Sequence, residues 1–142
     1  VKQAIREADF KKIEALLGRR YTLDGRVRHG EKRGRSLGFP TANLEFRGLV
    51  LPPDGIYACW ARFEGKRQPS AVYIGSRPTF GPGRKVIESH VIGGVNLDLY
   101  GKHLELEFVS RTRADKSFTS TEELKAAIAQ DIKQVQTALG LN

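Results

Sequence analysis

Residues 29–46 combine regularly spaced glycines with basic side chains and a short run of hydroxyl and amide groups. The segment reads HGEKRGRSLGFPTANLEF, in which Gly30, Gly34 and Gly38 recur at equal intervals. Because glycine permits backbone conformations that point successive N–H groups at an anion, this spacing is compatible with phosphate binding. It matches neither the common phosphate loop nor the dinucleotide fingerprint that opens a βαβ unit. On glycine spacing alone, a long surface turn is the favoured interpretation.

Thr41 and Asn43 could together bind a hard cation. On an extended chain, side chains two positions apart project to the same side, so the threonine hydroxyl and the asparagine amide oxygen can meet one ion. Magnesium prefers oxygen ligands and takes few of them from the protein when phosphates and water supply the rest. The alternative is an ordinary turn with a side-chain cap, which the two residue types alone favour.

The chain is basic, with 24 Lys and Arg residues against 16 Asp and Glu residues and a formal net charge of +8. Such a charge favours any polyanion, whether nucleotide, nucleic acid or anionic membrane. The basic residues are densest over residues 26–35, where no aromatic side chain offers a stacking platform for bases. A basic segment without aromatic residues suits binding of phosphate better than binding of bases. On charge alone, a solvated basic loop is the simpler interpretation.

Length and composition predict one globular domain. The chain has 142 residues, of which 39% are hydrophobic and 28% charged, and this is enough for a single core. No apolar run approaches the roughly 20 residues that cross a bilayer, and the N-terminus lacks the apolar core of a signal peptide, so we expect a cytoplasmic protein without membrane contact. A single cysteine, Cys59, predicts no intrachain disulfide, and it shares no ligand spacing with the three histidines, so no zinc site is expected.

The elements that must position these side chains are mostly strands. From residue 21 to residue 109, short apolar runs alternate with turn-rich stretches; the runs are YTLDGRVRH, GIYACWARF, SAVYIG, KVIESHVI and HLELEFV. In the last run Leu104, Leu106 and Phe108 fall on one face, which predicts a core face and a solvated face. Several short strands with frequent turns favour a closed antiparallel barrel, because closure removes exposed edges.

Helical patterns precede and follow the strands. The N-terminal segment has apolar residues at broadly helical spacing and a terminating glycine; these are Ile5, Ile13, Leu16, Leu17 and Gly18. The C-terminal segment opens with Ser120 and Glu123 in capping-box spacing. Its apolar stripe consists of Leu124, Ile128, Val135 and Leu139. We therefore expect one or two short helices first and a long amphipathic helix packed on the barrel last.

These residues, with later landmarks, resemble the riboflavin kinase family. RGRSLGFPTANL is similar to the family signature, and DGIYACW, IGSRPTF, ESH, DLYG and RTRADKSFTSTEEL follow in the family's order. Residues 2–21 resemble the segment that joins the nucleotidyltransferase domain to the kinase domain in bifunctional bacterial FAD synthetases. The resemblance implies a kinase domain at 21–142 and, at 1–20, a helical linker from an upstream domain, which would account for a chain that begins at Val1.

The resemblance implies a mainly β fold, a small closed antiparallel barrel of the Greek-key, riboflavin-kinase type with a C-terminal helix beside the flavin site. It also implies Mg²⁺- and ATP-dependent phosphorylation of the ribityl 5′-hydroxyl of riboflavin, giving FMN and ADP. Thr41 and Asn43 would then hold the metal, and Glu88 of ESH would be the general base. The other implied nucleotide- or flavin-binding positions are Gly30, Gly34, Arg35, Gly38, Pro40 and Arg113. The implied partners are these small molecules and a covalently linked FMN adenylyltransferase domain, with no nucleic acid.

The chain departs from the family pattern at a few positions. Tyr73 stands where bacterial members generally have the asparagine of NIG, and Ala114 and Asp115 stand where the arginine motif usually continues with proline and glutamate. Gly93 and Gly94 make the segment after Glu88 unusually rich in glycine. Because these positions lie near the expected ligand loops, they bear on affinity and loop order more than on the class of activity.

Other interpretations compete with each role. From the pattern alone, Glu88 is a solvent-facing strand residue that alternates with Ile87, and His90 receives no catalytic role. Several further residues are interpreted as core or barrel-face residues and not as a flavin platform or a nucleophile; they are Tyr57, Cys59, Trp60 and Phe63. For the whole chain, the alternatives are a basic β-barrel that binds single-stranded nucleic acid and a flavin-binding regulatory relative without turnover.

Overall fold

Helices flank a run of strands in the computed structural model of the chain. The structure describes residues 1–28, 38–46, 50–76, 85–94 and 98–141. Its helices are α1 (Lys2–Arg6), α2 (Phe10–Leu17) and α3 (Thr121–Ala138). Its strands are β1 (Thr22–Arg28), β2 (Ala42–Leu44), β3 (Gly55–Phe63), β4 (Lys66–Ser76), β5 (Lys85–Val91) and β6 (His103–Ala114).

The strands close into a barrel in the order β1, β2, β5, β4, β3, β6, and β6 pairs back onto β1. Every neighbouring pair is antiparallel. Each described strand is therefore paired on both sides, which satisfies backbone groups that an open sheet would leave at its edges. The predicted closed antiparallel barrel is confirmed.

Alternating apolar side chains fill the barrel. On β6, Leu104, Leu106 and Phe108 are fully buried while His103 is exposed, as the sequence pattern predicts. The same pattern predicts a solvated outer face, and this is wrong for Glu107, which is only 7% exposed. The reason is that arginines from three other parts of the chain cover it.

Glu107 forms the centre of an ion-pair cluster on the outer face of the barrel. Arg20 donates from Nη1 to Oε2 at 2.7 Å, Arg62 donates to Oε1, and Arg67 Nη2 lies 3.5 Å from Oε2. Arg67 also lies over the Trp60 ring, 4.0 Å from its centroid. Burial alone would raise the pKa of Glu107, but the hydrogen bond from Arg20 and the charges of the arginines outweigh it and lower the pKa. The cluster connects the segment before β1 to strands β3, β4 and β6.

The predicted N-terminal helices form and pack into the barrel core. Asp9 caps α2 by accepting a hydrogen bond from the Lys12 backbone N–H at 3.1 Å. Gly18 ends it in the left-handed conformation, with φ of 74°. The ring of Phe10 lies 5.7 Å, centroid to centroid, from both Tyr57 and Phe108. Helix α2 thus contributes directly to the core.

The predicted C-terminal helix also forms and packs on the outside of the barrel. Ser120 caps α3 by accepting a hydrogen bond from the Glu123 N–H at 3.1 Å. Val135 is fully buried against Ile56 and Ala58 on the outer face of β3. The apolar stripe therefore covers one side of the barrel and leaves the β2–β5 side to other contacts.

Candidate functional site

One row of directly opposed residues crosses the outer face of the barrel. Asn43 on β2 faces Glu88 on β5, and Glu88 faces Tyr73 on β4. The full row is, in order, Arg28, Asn43, Glu88, Tyr73, Ile56 and Arg113. Directly opposed residues project to the same face with Cβ atoms about 4.5–5.5 Å apart. The candidate magnesium ligand Asn43 and the candidate base Glu88 are therefore neighbours.

Glu88 is buried although it points away from the barrel interior. Ile87 and Ile74, which alternate with Glu88 and Tyr73, belong to the core, so the row faces outward. Glu88 is nevertheless only 5% exposed. The interpretation of Glu88 as a solvent-facing strand residue is therefore wrong. Glutamate is seldom buried to this extent, and its position directly opposite Asn43 makes Glu88 a candidate site residue.

Thr41 and Asn43 provide further oxygen atoms beside this carboxylate. Thr41 directly precedes β2 and is exposed, whereas Asn43 lies in β2 and is half-buried. Side chains two positions apart on an extended chain share a side. A hydroxyl, an amide oxygen and a carboxylate are all hard donors, so the chemistry of this set fits Mg²⁺.

His90 supports the segment that carries Thr41. Its Nδ1 lies 2.8 Å from the carbonyl oxygen of Pro40, and because a carbonyl only accepts, Nδ1 carries the proton in this contact. The ring also contacts Phe39 edge-on, with centroids 5.8 Å apart. The sequence analysis assigned His90 no catalytic role. The signal that could have located it is its spacing of two from Glu88, because residues two positions apart on a strand share a face.

Arg113 is held by Asp131 of α3. Nε donates to Oδ1 at 2.7 Å and Nη2 donates to Oδ2 at 2.8 Å, which is a bidentate pair. Asp131 is only 4% exposed. The remaining terminal nitrogen, Nη1, donates to the carbonyl oxygen of Ala114 at 3.0 Å. The arginine therefore fixes the end of β6 against α3, and sequence reasoning did not identify its partner.

The predicted phosphate-binding segment is only partly described. Gly38 is exposed and adopts φ of 88°, a left-handed conformation that favours glycine, and Pro40 is also exposed. Gly30, Gly34 and Arg35 lie outside the described residues. Their binding role remains a prediction.

Cys59 and the nearby aromatic residues belong to the barrel itself. Cys59 and Tyr57 are fully buried and Phe63 nearly so, whereas Trp60 is half-buried on the outer face. Burial raises the pKa of the Cys59 thiol well above its ordinary value, so the thiol stays protonated and unreactive. Burial also raises the pKa of Tyr57 to about 12, against the opposing influence of Arg111. The interpretation of these residues as structural is confirmed.

The fold and the row of side chains define a class of protein. It is a small closed β-barrel domain with a buried carboxylate and hard oxygen donors side by side on its outer face, next to a C-terminal helix. A carboxylate can accept a hydroxyl proton, and the neighbouring oxygens can hold a cation against phosphates. Both functions are among those that phosphoryl transfer to an alcohol requires.

The particular family follows from comparison with known proteins. The Flavokinase family model, described as riboflavin kinase, matches residues 17–139. The chain therefore belongs to the riboflavin kinase family. Neither a nucleic-acid-binding barrel nor a relative without turnover is favoured by this match.

Curated relatives are longer than this chain. It is 38% identical over 142 residues to the bifunctional riboflavin kinase/FMN adenylyltransferase of Escherichia coli strain K12, covering 99% of this chain and 45% of that protein. The Bacillus subtilis protein of the same description is 34% identical over 135 residues, covering 92% and 42% respectively. The chain therefore spans less than half the length of these relatives.

Solved structures share the fold. A Streptococcus pneumoniae protein described as a macrolide-efflux protein superposes with a TM-score of 0.86 at 28% identity, covering 95% of this chain and 44% of that one. Riboflavin kinase from Trypanosoma brucei superposes with a TM-score of 0.63 at 24% identity, covering 84% and 79%, a likeness that shows the fold alone. Within the described part of this chain, no helix is both long and apolar enough to span a membrane.

Proposed function

We propose that this chain uses ATP and Mg²⁺ to phosphorylate the terminal 5′-hydroxyl of the ribityl chain of riboflavin, giving FMN and ADP, with Glu88 as the general base. The observation that carries the proposal is the buried carboxylate of Glu88 directly opposite Asn43. This register supports the proposal, because a carboxylate that could accept a proton and a candidate cation ligand are direct partners on adjacent strands. Phosphoryl transfer depends mainly on such positioning, because it requires little covalent chemistry from the protein.

Glu88 would accept the proton of the riboflavin hydroxyl. The hydroxyl oxygen then forms a bond to the γ-phosphorus of ATP, and the bond from that phosphorus to the bridging oxygen breaks to release ADP. The burial of Glu88 supports this role, since a hydrogen bond from the substrate hydroxyl to a carboxylate is stronger where water is excluded.

Thr41 and Asn43 would hold the magnesium ion through their side-chain oxygens. When bound, the ion would neutralise charge on the phosphate oxygens. Gly38 and Pro40 would lie beside the phosphates together with Gly30, Gly34 and Arg35. His90 supports this arrangement, because its contact with the Pro40 carbonyl fixes the chain just before Thr41.

Arg113 would act on the flavin side of the site. Its bidentate pair with Asp131 anchors α3 beside the end of β6, where the segment leading into α3 begins. We therefore propose that Arg113 shapes the flavin-binding region, with its guanidinium held in place by Asp131.

The relatives' names include a second activity, FMN adenylyltransferase. We propose that in the full-length protein this domain is covalently linked to such a domain, with residues 1–20 as the linker. We also propose a cytoplasmic location, because ATP is the phosphoryl donor.

Incubation of the purified chain with riboflavin, ATP and Mg²⁺, followed by chromatographic separation of riboflavin, FMN and FAD, tests the proposal. We expect FMN, because the landmarks of the kinase are present in this chain. We expect no FAD, because the riboflavin kinase match already occupies residues 17–139. Recovery of unchanged riboflavin from folded protein would refute the proposed function. FAD formed from FMN and ATP would show that the second activity also resides here.

A further inference from the structure

Two of the departures from the family pattern contact each other. The hydroxyl of Tyr73 on β4 donates to Oδ2 of Asp115, just after β6, at 2.9 Å. The two residues lie 42 positions apart in the sequence. The shorter asparagine that the family pattern generally has at position 73 carries its polar group much closer to the backbone. The tyrosine therefore creates a contact between β4 and the end of β6, which we call the Tyr73–Asp115 bridge.

The bridge lies next to the candidate base. Tyr73 is the direct cross-strand partner of Glu88 on one side and of Ile56 on the other. Its half-buried ring packs with the apolar cluster of Ile56, Ala58 and Val135 beneath α3. Tyr73 therefore lies in the row between Glu88 and the apolar cluster beneath α3, and its packed ring forms a wall on that side of Glu88.

The absence of a side chain at Gly75 gives the tyrosine its space. A Cβ at Gly75 would overlap the ring and hydroxyl of Tyr73, so the ring extends along β4 over this glycine. Side chains two positions apart on a strand share a face, which explains why these two residues compete for the same volume.

The other end of the bridge is also fixed. Asp115 follows Ala114, whose carbonyl oxygen accepts a hydrogen bond from Arg113, and Arg113 is itself paired with buried Asp131. The Asp115 carboxylate is thus presented from an anchored strand end. The bridge connects the wall beside Glu88 to the start of the segment that leads into α3.

The order of residues in the row relates the Tyr73–Asp115 bridge to one of the two substrates. Asn43, the candidate cation ligand, lies on one side of Glu88, and Tyr73 lies on the other. If the phosphates of ATP are held on the Asn43 side, the attacking hydroxyl lies on the side of the γ-phosphorus away from ADP, because attacking and leaving oxygens lie roughly in line. In that arrangement the acceptor lies toward Tyr73.

From this geometry we propose that Tyr73 is a positioning residue for the flavin acceptor, and that the Tyr73–Asp115 bridge holds the wall that orients the ribityl hydroxyl toward Glu88. This inference rests on the proposed function and deepens it. A bridge of this kind adds selectivity for the acceptor without contributing to the binding of ATP.

Steady-state kinetics of Tyr73→Phe test the inference. The variant keeps the ring and removes only the hydroxyl, so we expect kcat/KM for riboflavin to fall about three- to tenfold while KM for ATP is unchanged. Asp115→Ala removes the acceptor and should give the same split, and the double variant should lose no more than either single variant, because both changes remove one bridge. Gly75→Ala keeps both polar groups but displaces the ring, so it should reproduce the riboflavin-specific loss.

Asp24→Ala is the matched control for Asp115→Ala, since Asp24 is an exposed aspartate that contacts His103 away from the row. It should leave both substrates unaffected. Unchanged riboflavin kinetics in Tyr73→Phe, or an equal loss for riboflavin and ATP, would overturn the inference while leaving the proposed function intact. A parent chain that makes no FMN at all would overturn both.

Discussion

Replacing Glu88 with glutamine separates the chemistry of this residue from its packing. Glutamine has nearly the shape of glutamate and can still fill the buried position between Asn43 and Tyr73. It cannot accept the riboflavin hydroxyl proton. We therefore expect Glu88→Gln to fold like the parent and to lose most of its turnover.

The magnitude follows from the role of a general base. Such catalysis contributes about 100- to 10,000-fold, or about 3–5 kcal/mol of barrier height. Glu88 is only 5% exposed, so bulk water has little access to replace it, and we expect a loss in the upper half of that range. Affinities for ATP and riboflavin should change little, because the loss is confined to the transition state.

The assay is single-turnover and steady-state FMN formation by parent and variant, with thermal unfolding of both as the test of folding. Asp98→Asn is the control, because Asp98 is an exposed carboxylate whose Oδ1 accepts from the Tyr100 N–H at 3.0 Å. Its turnover should match that of the parent. If Asp98→Asn abolishes FMN formation while Glu88→Gln retains it, the choice of Glu88 as the base is wrong.

Four further substitutions test three other parts of the structure. Thr41→Ala and Asn43→Ala should raise the Mg²⁺ concentration needed for half-maximal turnover about tenfold or more with little change in melting temperature, because these polar groups are not core. Asp131→Ala should destabilise the fold by about 2–3 kcal/mol in urea unfolding, because it leaves the mostly buried Arg113 guanidinium unpaired. Glu107→Gln should destabilise the protein at pH 7 and flatten the acid limb of its stability curve. The pKa of Glu107 is lowered in the folded state, so its stabilisation is present above the usual value of about 4.5 and is lost as the pH falls through the lowered value.

Each of these predictions has its own contradicting result. Parental activity of the Thr41→Ala and Asn43→Ala variants across a Mg²⁺ titration would show that these residues do not bind the metal. An Asp131→Ala variant as stable as the parent would show that solvent satisfies the arginine. An acid limb in Glu107→Gln as steep as that of the parent would assign the pH dependence to other carboxylates.

Local patterns were sufficient to predict most of the fold. The alternation of Leu104, Leu106 and Phe108 identified a strand with a core face, and Ser120 with Glu123 identified the start of α3, because both signals reside in neighbouring residues. Strand β2, at Ala42–Leu44, was not predicted as a strand. Three residues are too few to show a period, so only its pairing with β1 and β5 defines it.

The site could be predicted only in part. Family resemblance proposed Glu88 and Asn43 as site residues, but their direct opposition depends on the register between β2 and β5, which residue patterns do not contain. The bridge between Tyr73 and Asp115 and the arginines around Glu107 join residues more than 20 positions apart, so closure of the barrel was needed to bring them together. The pairing of Arg113 with Asp131 could not be predicted either, since an arginine on a strand and an aspartate on a helix share no local pattern.

Transfer of the labelled γ-phosphate of ATP to riboflavin tests the central claim most directly. In the presence of Mg²⁺, the parent chain should place the label in FMN, with one ADP formed for each FMN. The Glu88→Gln variant should do so at least about 1,000-fold more slowly at equal protein concentration. Label that appears only as free phosphate, or label transfer at the parental rate in the variant, would contradict the account.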